Sequence, residues 1–282
     1  MSHVLDLDKL VSKKRPQMRW KRKMPLGKAA RSGSQTGVVL YQGPSRFDGA
    51  EIIAILTFHS QNYKTGDIPQ VWILRADRHP REVRSGKLDR AICGHCPLAA
   101  NMGCYVTSPE LGSIWRKLQA GGYMTDVPRA MRRLVVEEPA AIRLGAYGDP
   151  AAVPIEVWDD LRAALPPTTR LLAYTHAWDH MEGEGYKDIC MASVDSPEQA
   201  KRARAKGWRT FRMALPQDAE PAKGQDVCPF IFDPEGIKCR RCRICTGAGG
   251  KGPCIVVPAH GGAIQLTRAM DYLRRTKKEG HG

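Results

Sequence analysis

The chain has 282 residues, of which 42% are hydrophobic. This is enough for one large or two modest domains and argues against wholesale disorder. Lys and Arg outnumber Asp and Glu by 44 to 29, and the resulting net charge of +15 favours a polyanionic partner. No apolar run approaches the roughly 20 residues that cross a bilayer, and no charged-then-apolar signal segment opens the chain. The sequence therefore predicts a soluble, cytoplasmic protein without a membrane partner.

The first segment, residues 1–36, is strongly basic, and its prolines and glycines interrupt any helical apolar stripe. It is predicted to be a flexible arm that neutralises nucleic-acid phosphates. A solubilising tail and a membrane-surface anchor are the alternatives. The residues predicted to contact nucleic acid are Lys13, Lys14, Arg15, Arg19, Lys21, Arg22 and Lys23.

Residues 37–90 are predicted to form a small antiparallel β region. Their apolar residues favour strands at 38–41, 52–56 and 71–74, with turn-forming sequences between them.

Residues 91–275 alternate between helical and strand patterns, which predicts the α/β class with a parallel sheet. We expect a partial (β/α) barrel of TIM-barrel-like order, with cysteine-rich metal-binding loops; an open doubly wound sheet is the alternative. The predicted strands are 141–146, 170–175, 189–194, 210–215 and 254–257, and the predicted helices are 109–120, 128–136, 154–165, 197–206 and 262–275.

Eight of the nine cysteines fall in two groups, and only Cys190 stands apart. Groups spaced like Cys-x2-Cys-x2-Cys bring soft sulfur ligands to one centre, which suits tetrahedral zinc and iron–sulfur clusters equally. Disulfides are disfavoured by the odd cysteine count and the chain length. The predicted ligands are Cys93, Cys96 and Cys104 in the first group, and Cys228, Cys239, Cys242, Cys245, Cys254 and His260 in the second. His95 or a distant cysteine would complete the first group, and Cys228, Cys254 or His260 would complete the second.

Polar residues follow three of the predicted parallel strands. Asp149, His176 and Asp195 each come just after a strand end, where binding crevices of parallel sheets lie. Two carboxylates and a histidine are suited to acid, base or nucleophile roles. These three residues are the predicted catalytic set. Turn formation by Asp149, helix capping by Asp195 and ordinary burial of His176 are the structural alternatives.

Two resemblances add to these patterns. Over about residues 90–260 the chain resembles cysteine-rich proteins of actinobacterial phages and related mobile elements, although Cys93 lies upstream of the family's Cys-Pro pair. This resemblance implies a phage or prophage origin within a bacterial cytoplasm, and no particular activity. The motifs that carry it are Cys96-Pro with Cys104-Tyr105, Gly148-Asp149, Tyr174-Thr175, and Cys228-Pro followed by Cys239, Cys242 and Cys245.

The late cysteine run with a following histidine is also similar to tRNA-guanine transglycosylases and their phage DNA-modifying relatives. The match covers Cys239, Cys242, Cys245 and His260, with the first two cysteines one residue further apart than in that family. The resemblance implies structural zinc, with an aspartate nucleophile and an aspartate base that exchange a nucleic-acid base.

The sequence therefore predicts a metal-binding protein that modifies a base in nucleic acid, DNA in preference to RNA, by a transferase mechanism in a barrel mouth. The target base would be flipped out or single-stranded. A zinc-stapled DNA-binding accessory protein and an iron–sulfur redox or radical enzyme are the alternatives. The usual Cys-x3-Cys-x2-Cys motif of radical S-adenosylmethionine enzymes is absent from the sequence.

Overall fold

A computed structural model describes residues 35–99, 103–106, 108–250 and 252–279. The seven basic residues predicted to contact nucleic acid lie outside these ranges. No helix in the described part of the chain is long and apolar enough to cross a membrane.

The protein has a mixed α/β fold, as predicted. Its strands are β1 (Gly37–Pro44), β2 (Glu51–Thr57), β3 (Gln70–Arg75), β4 (Ala141–Tyr147), β5 (Arg170–Leu172), β6 (Tyr174–Thr175), β7 (Met191–Val194), β8 (Thr210–Ala214), β9 (Gln225–Val227) and β10 (Cys254–Pro258). Its α-helices are α1 (Pro80–Ser85), α2 (Arg90–Cys93), α3 (Ser108–Gln119), α4 (Val127–Glu137), α5 (Ile155–Ala164), α6 (Pro197–Ala205), α7 (Cys239–Cys242) and α8 (Ala263–Glu279).

The first sheet has the order β1-β2-β3-β4-β5. The β1–β2 and β2–β3 pairs are antiparallel, while β3–β4 and β4–β5 are parallel. The antiparallel strands of residues 37–90 therefore continue directly into the parallel part of the fold.

The second sheet has the order β6-β7-β8-β10-β9, and all its pairs are parallel. Only Ala173 separates β5 from β6, so one sheet follows the other with almost no interruption. The strand pairs of the described residues do not join β9 to β1, and the two sheets do not close into a barrel there.

Local signals set the ends of the helices between the strands. The Ser196 hydroxyl accepts a hydrogen bond from the Gln199 N–H at 3.1 Å and caps α6, whose first residue is Pro197. Gly207 follows this helix with a φ of +80°, a conformation that suits glycine at a helix end. The Asp126 carboxylate caps α4 in the same way as Ser196, through the Arg129 N–H.

The sheets are buried on both faces. The main apolar core packs against the helices and includes Ile142 and Val194. On the second sheet, a separate apolar cluster contains Met191 and Ile255 together with Cys228 and Cys245. Part of the second cysteine group is therefore inside the fold rather than on a surface loop.

Candidate metal centres

Four cysteines of the second group surround one cavity. Cys228 directly follows β9, Cys239 and Cys242 are the two ends of α7, and Cys245 lies three residues further on. All four line a cavity of about 330 Å³, including its open mouth, whose other walls include apolar side chains such as Leu172. The structure thus unites Cys228 with the late cysteine run.

No three of the described cysteine sulfurs lie within 4.8 Å of one another. Among the described residues, the only three candidate ligand atoms that all lie within 4.8 Å of one another belong to His95, His180 and Glu182, outside the cysteine groups. Tetrahedral zinc with bonds of about 2.3 Å would place its sulfur ligands about 3.8 Å apart. In an iron–sulfur cluster each cysteine binds a different iron at a corner, so wider sulfur spacing fits that group.

Burial and repulsion from neighbouring thiolates raise the pKa of Cys239, Cys242 and Cys245 when no cation is bound. Burial raises the pKa of Cys245 to about 12; the Cys239 and Cys228 thiolates add to the increase, and a hydrogen bond from the Tyr174 hydroxyl opposes it. The pKa of Cys242 is also raised by burial, while the Ile244 N–H opposes the rise by bonding its sulfur. A bound cation would offset this repulsion.

Two cationic side chains lie beside the same group. Burial lowers the pKa of Lys64, and the Cys228 and Cys239 thiolates act in the opposite direction. Arg143 projects from β4, where the negative charges of Tyr105 and Cys239 favour its cationic form against the effect of burial. These cations would partly balance the negative charge of a thiolate-bound centre.

Hydrogen bonds to the connections between β2 and β3 and between β5 and β6 hold the backbone around α7. The Cys239 N–H donates to the Lys64 carbonyl at 3.2 Å, and the Arg240 N–H donates to the Thr65 carbonyl at 2.9 Å. On the other side, the Ala173 N–H donates to the Cys245 carbonyl at 3.3 Å, in the one-residue gap between β5 and β6. The cysteine run therefore bridges parts of the fold far apart in sequence.

The first cysteine group lies at the end of α2. The Cys96 N–H donates to the Cys93 carbonyl at 3.0 Å, and Cys104 acts electrostatically on the Cys93 thiol, whose pKa is raised by burial and by its neighbours. The Cys96 sulfur interacts with the His176 ring. Burial lowers the pKa of His176, but Cys96, Asp195 and Asp149 outweigh this and raise it to about 10. A histidine beside this group is thus His176, a residue predicted to be catalytic.

The three predicted catalytic residues lie together. The two carboxylate oxygens of Asp149 accept hydrogen bonds from the Ala151 N–H at 2.9 Å and from the His176 N–H at 2.8 Å. Burial raises the pKa of Asp149. Asp195 accepts a hydrogen bond from the Tyr272 hydroxyl at 3.1 Å, and burial raises its pKa while His176 opposes the rise. Asp149 therefore positions the backbone of His176, whereas Asp195 interacts with the side chains of Tyr272 and His176.

The structure places the other predicted ligands elsewhere. The Cys254 sulfur accepts a hydrogen bond from the Thr210 N–H at 3.3 Å and is absent from the walls of the four-cysteine cavity. Nε2 of His260 lies 2.8 Å from Lys64 Nζ, so this imidazole reaches the cysteine group only through Lys64. Cys190 is buried in the main core.

Sequence patterns gave no role to Lys64, Arg143 or Tyr174. Arg143 had a detectable signal, since it is the one charged residue in the apolar strand Ala141–Tyr147. Lys64 lies in a turn of polar residues, where a lysine is unremarkable by pattern alone.

No family model, curated protein or solved structure matches the chain. The resemblances to phage cysteine-rich proteins and to transglycosylases therefore rest on short motifs and stay predictions. Function is therefore inferred from the positions and contacts of the residues described above.

Proposed function

We propose that the chain is an iron–sulfur protein that acts on nucleic acid. Cys228, Cys239, Cys242 and Cys245 would hold a [4Fe–4S] cluster in their shared cavity. The observation that carries this proposal is the set of four cysteines around one cavity, no three of whose sulfurs lie within 4.8 Å of one another, whereas a single zinc ion would hold them about 3.8 Å apart. Such a cluster supplies one-electron chemistry when bound, while the protein's own residues hold it, exclude water and balance its charge.

Cys93, Cys96, Cys104 and His176 would form a second metal centre. Three sulfurs and an imidazole are ligand types that both zinc and iron–sulfur clusters accept, and because no three of these ligand atoms lie within 4.8 Å of one another, a cluster fits this group better than a single zinc ion. Asp149 supports this centre by fixing the His176 backbone.

Base modification in the mouth of a partial barrel is the second candidate function. The observation that favours it is the grouping of Asp149, His176 and Asp195 after β4, β6 and β7. Because both oxygens of Asp149 are engaged by backbone N–H groups, Asp195 is the better placed nucleophile of the pair. Nucleic acid remains the proposed partner in both cases, on the basis of the basic composition.

The cluster is tested with full-length protein purified without oxygen. We expect a brown sample with broad visible absorption that contains both iron and acid-labile sulfide. Cys242→Ser should lower the iron and sulfide content, whereas Cys254→Ser, the matched control outside the cavity, should leave both unchanged.

A colourless, zinc-loaded wild-type protein would refute the cluster. The ligand assignment would be wrong if Cys254→Ser lost iron while Cys242→Ser kept it.

A further inference from the structure

Two loops bring three further metal-binding side chains together. His95 lies in the turn between Cys93 and Cys96, while His180 and Glu182 lie in the loop after β6. One ligand atom from each residue lies within 4.8 Å of the other two. The two imidazole rings are stacked, with centroids 3.5 Å apart and planes 5° from parallel. His95 Nε2 is 3.7 Å from a carboxylate oxygen of Glu182.

The backbone around His95 is fixed by close packing. Phe47 packs edge-on against the His95 ring, with centroids 5.9 Å apart. Gly94 has a φ of +52°, and a Cβ atom there would lie only 2.5 Å from the Phe47 ring. A glycine is therefore needed for His95 to take this position.

The second loop is fixed by separate contacts. It consists of two short 3₁₀ turns, Ala177–Asp179 and Met181–Gly183. A Cβ atom on Gly183 would overlap the Ala177 carbonyl oxygen, so glycine allows the turns to pack closely. Arg46 Nη1 donates to the Glu182 carbonyl at 2.5 Å and so links this loop to the chain just after β1. The three side chains are thus brought together by the fold itself.

We propose that His95, His180 and Glu182 form a mononuclear site for a divalent transition metal of the zinc or ferrous-iron class. Two imidazole nitrogens and one carboxylate oxygen are a ligand set used for these ions in sites with open coordination positions. The His180 side chain is exposed, and those of His95 and Glu182 are 23% and 28% exposed. Solvent or an oxygen atom of a substrate therefore has access to the remaining positions.

This site is separate from the cysteine centres, although the same two loops supply Cys96 and His176 to the first group. Its nitrogen and oxygen ligands are harder than thiolates, and the proposal does not depend on a cluster in the four-cysteine cavity.

The test uses Co²⁺ as the probe, added without oxygen to full-length protein whose cysteine-bound metal is in place. We expect one added equivalent to bind and to give a ligand-field spectrum without a sulfur-to-cobalt charge-transfer band. His180→Ala and Glu182→Gln should each weaken Co²⁺ binding by about tenfold or more. His59→Ala removes an exposed imidazole elsewhere and should change nothing.

Melting temperature and cysteine-bound metal are measured in each variant, and both should stay at wild-type values because His180 and Glu182 are outside the core. The proposal is overturned if the wild-type protein binds no added Co²⁺, if either variant binds it as tightly as wild type, or if the bound Co²⁺ shows a sulfur charge-transfer band.

Discussion

Lys64 and Arg143 show how single charges are placed around the four-cysteine cavity. Lys64 Nζ also contacts His260, and Arg143 donates to the Tyr105 hydroxyl. The main acidic neighbours of both cations are thiols and phenols rather than carboxylates. A buried cation is costly without a counter-charge, and thiolates of a bound centre would supply one.

Removing either cation should lower the reduction potential of the proposed cluster, because the reduced state carries more negative charge. For Arg143→Gln and Lys64→Gln we expect shifts on the order of 60 mV, equivalent to about 1.4 kcal/mol for one electron. Redox titration followed by electron paramagnetic resonance measures the shift. Arg240→Gln is the control, since Arg240 is exposed and screened by solvent. Equal shifts in all three variants would contradict a specific role for the half-buried Lys64 and Arg143.

At the scale of elements, the segment from α7 to β10 depends on one arginine, Arg209, which immediately precedes β8. Arg209 donates to the carbonyl oxygens of Ile244, Thr246 and Pro253 at 2.7–2.9 Å. It also donates to the Thr246 hydroxyl at 2.8 Å. The chain around and after Cys245, at these three residues, is therefore held against the sheet by a side chain rather than by strand pairing.

We expect Arg209→Lys to destabilise the protein by about 2–3 kcal/mol, because a lysine cannot reach three carbonyl groups in the same plane and leaves buried acceptors unpaired. Thermal unfolding measures this loss, and metal analysis should show reduced occupancy of the four-cysteine centre. The matched control is Arg212→Lys, three residues further along the chain and within β8. Arg212 binds the carbonyl oxygens of Asp218 and Glu220, in a loop without cysteines.

Arg212→Lys should lower stability without loss of metal. If both arginine variants kept full metal content, the cysteine segment would not depend on Arg209 for its position.

At the scale of the whole molecule, local patterns predict most elements and little of their arrangement. The helix at 197–206 and the strand at 141–146 follow from a capping serine with a proline and from an apolar run, and both lie within a residue of the observed bounds. The strand β9 was missed because Gln225–Val227 is too short to show a period. Its place beyond β10 depends on contacts between distant segments, which no local pattern encodes.

For the candidate sites as well, sequence spacing predicts some of the residues, and contacts between distant segments determine the rest. Spacing predicts that the cysteines are ligands, because three sulfurs within seven residues can reach one centre. Selection of Cys228 over Cys254 depends on where β9 ends and on the direction of the Cys254 side chain toward Thr210, which is tertiary information. The contact of His176 with Cys96 likewise joins loops that follow different strands.

The proposed nucleic-acid binding, and its dependence on the basic segment, can be tested by deletion. Residues 1–31 contain ten Lys and Arg and only two Asp. Phosphate contacts release counterions, so deletion of residues 1–31 should weaken binding to DNA of any sequence and make its dependence on salt concentration shallower. Binding isotherms at several salt concentrations measure both effects. Deletion of residues 1–8, which contain no Lys or Arg, is the control and should leave the salt dependence unchanged; an unchanged slope in the longer deletion would show that the phosphate contacts lie elsewhere on the protein.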